Sequence, residues 1–261
     1  MNKMVVSFAG AGRVAGALCR EMFCSGIRIS QVVSPSEEEG KKLAGDCNAE
    51  WSPEPSYNKN ADLIIVAVPD QKLNEVLSSV RCHPHTVVAH TAGSYGLEVF
   101  PADITRRGVF YPLQTFSKGR HLNFTGIPFL IEASDNEVRQ QLTGLAHAIK
   151  GNVHYFTADQ RRLVHLSAVF ICNFTNYMLT AGSEITRKAG ITDDIFEPLI
   201  RETVAKAIEN GPENSQTGPA IRNDINTLKK HLELLSFSPE LQNLYKVLTD
   251  SIITYYKKKK E

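Results

Sequence analysis

Three groups of residues have types and spacings that chemistry can use. The first is Gly10-Ala11-Gly12-Arg13-Val14-Ala15, a G-x-G-x-x-[GA] run set between an apolar segment, Val5–Ala9, and a helical one. In that setting the first glycine permits a tight turn and the second lets the backbone approach a pyrophosphate. A small third residue lets the helix pack on the strand. The helix N-terminus then faces phosphate charge. Strand before and helix after turn a weak motif into a dinucleotide site, bordered by Val68 and Pro69 at a later strand end.

NAD sites place a carboxylate on the ribose about 20 residues past the glycines. Ser34-Pro35-Ser36 stands there instead, and Glu37–Glu39 reads as the favourable first turn of a helix. Arg13 and the hydroxyls of Ser34 and Ser36 could receive a 2′-phosphate, with Lys41 assisting, so the expected cofactor is NADP(H).

The second group lies at strand ends, where open α/β sheets bind ligands: Val68-Pro69-Asp70, His90-Thr-Ala-Gly-Ser94 and Tyr111-Pro-Leu-Gln-Thr115. Asp70 has capping the next helix as its alternative role. His90 is expected to border the nicotinamide, its alternative being a hydrogen-bonded structural histidine. The third group is helical. His165 and Asn176 are spaced to share a face of one long helix, with Asn173 a turn before Asn176, and Arg222 sits in the turn Thr217-Gly-Pro-Ala-Ile-Arg222-Asn-Asp224. Histidine suits proton donation near neutral pH. Asn173 and Arg222 suit a polar, carboxylate-bearing substrate, although hydrogen bonds between helices would also account for buried amides.

These groups need a scaffold. Short β-branched runs alternate with helical stretches as far as Phe156, the rhythm of βαβ units, with strands expected at Met4–Ala9, Ile29–Val33, Leu63–Val68, Thr86–His90, Gly108–Tyr111, Phe129–Glu132 and Val153–Phe156. Thr157-Ala-Asp-Gln160 has capping-box form and opens a helix expected to run to about Ala189, before Gly190. Helices are expected next at Asp193–Asn210, Pro219–Leu235 and after Ser238-Pro239. The expected organisation is a doubly wound α/β Rossmann domain, 1–157, followed by an all-helical domain, 158–261.

Bulk properties fit a small-molecule partner. Lys and Arg number 29 against 28 Asp and Glu, a net charge of +1, which gives no field for nucleic acid or a membrane surface. Lys257–Lys260 reads as a solvated tail. The longest apolar run, Leu63–Val68, is far short of the ~20 residues that span a bilayer, and no signal peptide opens the chain, so a cytoplasmic protein is expected. Five cysteines without C-x-x-C spacing are expected to be reduced. Cys82, His83, His85 and His90 resemble a metal cluster, but on an extended strand His85 and His90 stand roughly 16 Å apart, so no metal site is expected.

The chain resembles, over essentially its whole length, the Rossmann-like proteins with a DUF2520 C-terminal domain, a group labelled NADP oxidoreductases. The resemblance rests on the motifs above together with Pro112-Leu-Gln-Thr-Phe116, the His165 to Asn173 segment, and Thr217-Gly-Pro with Arg222, Asp224 and His231. It is more distantly similar to pyrroline-5-carboxylate reductase, F420-dependent NADP reductase and the 6-phosphogluconate and 3-hydroxyacid dehydrogenases. Those similarities imply hydride transfer to or from a small carbonyl or imine at an interdomain cleft, and a homodimer through the helical domain. They leave two other readings: a non-catalytic NADP(H) sensor, and NADP–deazaflavin electron exchange. Two positions depart from the relatives. His165 stands where the hydroxyacid dehydrogenases carry a helical lysine, and Tyr111 where DUF2520 proteins often have histidine before the proline.

Overall fold

The computed structural model describes residues 4–57 and 60–259; Lys260 of the C-terminal charge run lies outside them. Eight strands form one sheet: β1 Val5–Ala9, β2 Arg28–Val33, β3 Glu50–Ser52, β4 Leu63–Val66, β5 Val87–His90, β6 Arg107–Pro112, β7 Pro128–Ala133 and β8 Asn152–Tyr155, in the order β3-β2-β1-β4-β5-β6-β7-β8. The central strands are apolar on both faces because helices cover both. Ile65 of β4 joins Phe8, Phe110 and Phe129 on one face, and Ile64 joins Val66, Val88 and Phe100 on the other. Helices α1 Arg13–Cys24, α2 Glu37–Asp46, α3 Leu73–Ser79 and α4 Asn136–Ala148 connect the strands.

All expected strands form, with ends shifted by a residue or two. Edge strand β3 is an addition: three residues carry no periodicity to read. The sheet is parallel except at β6 and β7, which pair antiparallel. The chain reverses there through a long loop, 113–127, whose Phe116, Leu122 and Phe124 pack into the core.

After β8 every element is helical. Helix α5, Ala158–Ala168, opens with the expected capping box, Thr157 accepting from the Gln160 N–H and the Gln160 side chain accepting from Thr157. A π-turn, Val169–Phe174, leads into α6, Thr175–Arg187, and Gly190 at φ +70° stops the helix as expected. The π-turn interrupts the regular α-helical period on which the expected shared face of His165 and Asn176 was built. Four more helices complete the chain: α7 Glu197–Asn210, α8 Pro212–Ser215, α9 Ile225–Leu234 and α10 Pro239–Lys258. Helix α9 begins at Ile225 instead of Pro219, because Asp224 caps it by accepting the Thr227 N–H at 3.1 Å.

By its internal contacts the chain forms two compact units, residues 1–172 and 173–261. The second has its own small core of Ala181, Leu235 and Leu241, beside which the Tyr245 hydroxyl meets His231 Nδ1 at 2.8 Å. The helix Ala158–Arg187 has a mean hydropathy of 1.2 over 18 residues, long and apolar enough by composition to cross a membrane. It contains no long uninterrupted apolar run, because Ser167, Asn173 and Asn176 break the sequence. None of that window is buried within the single chain.

Candidate functional site

The glycine turn is built by close packing. Gly10 has φ +107°, and a Cβ there would lie 2.4 Å from the Ala67 carbonyl oxygen, so only glycine fits between β1 and the end of β4. Its N–H donates to the Val33 carbonyl at 2.8 Å, tying the turn to β2 as well. Val68 flanks it, while Pro69 is exposed and leads into a short 3₁₀ turn, Asp70–Lys72.

Gly12 is different. Its φ is an ordinary −74°, and among the described residues no atom beyond its two chain neighbours lies within 4 Å of where its Cβ would be. It precedes α1, whose first turn has no side-chain cap and no acidic residue. Helix N–H groups left without partners and facing open space fit a phosphate group. A dinucleotide therefore suits these residues. Ala11 and Val14 pack partly into the core, and Ala15 is buried where α1 meets the sheet.

Around the expected 2′-phosphate position, Arg13 and Ser36 are exposed. Ser34 is nearly buried, and its hydroxyl accepts the Ser36 N–H at 3.3 Å. Lys41 is not aimed there. Its ammonium bonds Glu37 at 2.6 Å and lies 5.1 Å over the Trp51 ring, committing it to the surface of α2.

A second set of groups meets at the carboxyl edge of the sheet. The Tyr111 hydroxyl, at the end of β6, and His165 Nδ1, on α5, are 3.0 Å apart, the phenol donating when the imidazole carries its proton on Nε2. The rings meet edge to face with centroids 5.8 Å apart. Gly93 is the seat of this pair, because a Cβ there would come within 2.7 Å of His165 Nδ1. Burial and the nearby Asp70 carboxylate raise the Tyr111 pKa above the usual phenol value, so the hydroxyl keeps its proton at neutral pH. No capping hydrogen bond holds Asp70, which instead contributes charge here. A protonated phenol hydrogen-bonded to a half-buried imidazole can donate a proton to a carbonyl oxygen or imine nitrogen and be reprotonated from behind.

His90 corrects an expectation. It is fully buried, its Nδ1 accepts the Ala92 N–H at 3.2 Å, its Nε2 lies 3.3 Å from the Gly96 carbonyl, and its ring stacks on Phe100. Both nitrogens are spent on its own loop, so His90 holds the loop that carries Gly93 and presents no group to a ligand. Burial lowers its pKa to about 4, keeping it neutral.

Helix α5 is held over this loop by two arginines that sequence reasoning missed. Arg161, fully buried, pairs with Glu132 of β7 at 2.8 Å and donates to the Tyr95 carbonyl. Arg162 donates to the Ser94 carbonyl at 3.0 Å and pairs with Glu98 at 2.5 Å. An acidic residue in a core strand and paired arginines in the first turns of an apolar helix were the available signal. Asn173 and Arg222 belong to the second unit. Both are exposed; hydrogen bonds from Thr227 hold the neighbouring Asp224 below the usual carboxylate range, with a smaller contribution from Arg222.

Comparison with known proteins gives two matched families: residues 1–116 match a Rossmann-like domain and residues 127–252 a domain of unknown function, DUF2520. A protein from Bacteroides fragilis, described as a candidate NADP oxidoreductase, is 38% identical, with 97% of this chain and 98% of that one covered at a TM-score of 0.89. Two remoter structures share the fold. A reductive aminase from Aspergillus terreus, in complex with NADPH and ethyl-5-oxohexanoate, is 14% identical over 97% of this chain and 95% of its own, at a TM-score of 0.72. A 1-pyrroline-5-carboxylate reductase from Streptococcus pyogenes is 14% identical over 97% and 100%, at a TM-score of 0.62. No curated protein sequence matches.

Proposed function

From the premise that this chain belongs to the family pairing a Rossmann-like domain with DUF2520, we propose that it is an NADP(H)-dependent oxidoreductase acting on a small carbonyl or imine compound that bears a carboxylate. The observation that carries the chemical part is the Tyr111–His165 pair seated on Gly93, at the same sheet edge as the uncapped start of α1. When bound, the nicotinamide supplies the hydride. Tyr111 gives its proton to the substrate oxygen or nitrogen while its oxygen accepts a hydrogen bond from Nδ1–H of the doubly protonated His165, which orients the phenol and then passes it the Nδ1 proton, leaving a neutral imidazole. Gly10, Gly12 and the first turn of α1 hold the pyrophosphate, and Arg13 meets the 2′-phosphate. Asn173 and Arg222 are assigned to the substrate on their chemistry, an amide and a guanidinium suited to a carboxylate.

A homodimer formed through the helical elements belongs to the same reading. Large apolar side chains stand exposed in each unit, Ile171 at 75% in the first and Ile208 at 78% in the second, and a second copy is the partner that would cover them. A cytoplasmic location is part of the proposal.

The test is a panel of small aldehydes, ketones and imines, with and without a carboxylate, following NADPH absorbance. Turnover of carboxylate-bearing members supports the reading. Tight NADPH binding with no turnover of any member would favour a cofactor-sensing protein in its place.

A further inference from the structure

A cavity of about 540 Å³ opens beside the glycine turn. One wall is Ala11, Gly12 and Arg13 with the following turns of α1; another is α2 with Lys42; the third is the tip of the β6–β7 loop, Ser117 to Phe124. The size is that of a ligand site, not of a packing defect.

Its charge is one-sided. Arg13, Arg20, Lys42, Lys118 and Arg120 line it against two carboxylates, Glu21 and Glu39. Two of those cations are already committed: Arg20 to Asp46 at 3.0 Å, and Lys118 to Glu39 at 2.6 Å. Arg13, Lys42 and Arg120 form no ion pair among the described residues, and all three are exposed. The pairing of Lys118 with Glu39 also has an effect: a carboxylate in the first turn of α2, which would repel an anion, is neutralised from the loop.

The loop is built to hold this position. Phe124 is buried against Phe129, with Phe116 beside it, so both flanks of the tip are anchored in the core. Between them the chain reverses tightly, with Gly119 at φ +78° and the Arg120 N–H donating to the Ser117 carbonyl at 3.4 Å. A Rossmann sheet has no need of such an arm for folding. Ser34, by contrast, is nearly buried with its oxygen occupied by the Ser36 N–H, which leaves the end of β2 poor in counter-charge.

We propose that the β6–β7 loop is the arm that reads the cofactor's 2′-phosphate: Arg120 and Lys42 bind the phosphomonoester together with Arg13, while Lys118 screens Glu39. The specificity for NADPH over NADH then comes from a loop some 80 residues beyond the usual β2 position, and the dianion meets the three uncommitted cations of the cavity. This rests on the reading of the glycine turn as an NADP(H) site.

The test is isothermal titration of NADPH, NADH and adenosine 2′,5′-bisphosphate into the wild-type protein and into Arg120→Ala and Lys42→Ala, with melting temperature as the check on folding. Each variant is expected to bind NADPH and the bisphosphate about 10-fold more weakly, the loss of one charge-assisted contact, with NADH affinity unchanged. If the wild type prefers NADPH and neither variant changes its affinity, the loop assignment is wrong and the cofactor assignment stands. If the wild type binds neither dinucleotide, the cofactor reading fails and takes the inference with it. Equal wild-type affinities for NADPH and NADH would overturn the inference alone.

Discussion

At the scale of single residues, the proposed chemistry rests on one hydrogen bond, between the Tyr111 hydroxyl and His165 Nδ1. Replacing His165 by Gln or Tyr111 by Phe should leave the NADPH dissociation constant unchanged and lower kcat by about 10²- to 10⁴-fold, the usual worth of acid–base catalysis. Stopped-flow turnover beside a binding titration separates the two effects, and unchanged kcat in both variants would remove the assignment. His90 yields a different kind of prediction. Its folded pKa of about 4 lies below the ordinary value near 6.5, so the unfolded chain binds the extra proton and stability must fall as pH drops. The contribution is whole above pH ~6.5 and declines through ~4. The His90→Asn variant should flatten that part of a plot of melting temperature against pH. The dinucleotide glycines and His165 could be picked out as candidates because residue type and spacing mark them. The hydrogen bonding of His90 could not, since only the folded loop reveals that both its nitrogens are occupied, and Tyr111 showed as a strand-end candidate and a departure from relatives, its pairing with His165 visible only once β6 and α5 are folded.

At the scale of elements, α5 is the piece that must be placed well, and Arg161 places it. Its side chain is completely buried and Glu132 keeps 22% of its surface, so removing the arginine strands a half-buried carboxylate and an unpaired Tyr95 carbonyl. Arg161→Met is expected to cost about 3 kcal/mol in urea denaturation, within the range for breaking a buried pair. Glu132→Gln on that background should recover part of the loss, and additive effects would show that the pair is not coupled. The elements themselves were readable from pattern wherever a pattern was long enough. The seven longer strands, the capping box and the Gly190 stop follow from alternation and end chemistry. Strand β3 is too short to carry a period. The π-turn between His165 and Asn176 has no signature in residue type.

For the whole molecule, the homodimer reading rests on the exposed apolar faces of the helices. Leu163, Leu166, Phe170 and Ile171 are all more than half exposed in the single chain. Self-association predicts that light scattering at micromolar concentration gives twice the 28.9 kDa of one chain, and that Leu166→Asp with Phe170→Asp gives a monomer. A wild-type monomer would defeat the idea and turn attention to a membrane surface, given the length and hydropathy of this helix. The change from strands to helices after β8 could be read from the sequence because the two periodicities differ. The antiparallel β6–β7 pair could not, since strand direction leaves no trace in a run of apolar residues.

The two glycines of the cofactor turn differ in a way that bears on how substitutions at this site would be interpreted. Gly10 is demanded by the protein, through its φ of +107° and the Ala67 oxygen 2.4 Å from a would-be Cβ, so a side chain there damages the fold first and binding as a result. Gly12 is demanded by nothing in the protein, since its backbone is ordinary and the space above it is empty. A methyl group at Gly12 would therefore leave a well-folded chain deprived of its ligand. That makes Gly12→Ala a separation-of-function allele: placed in a cell, it would distinguish what this protein does through the cofactor from what it does merely by being present.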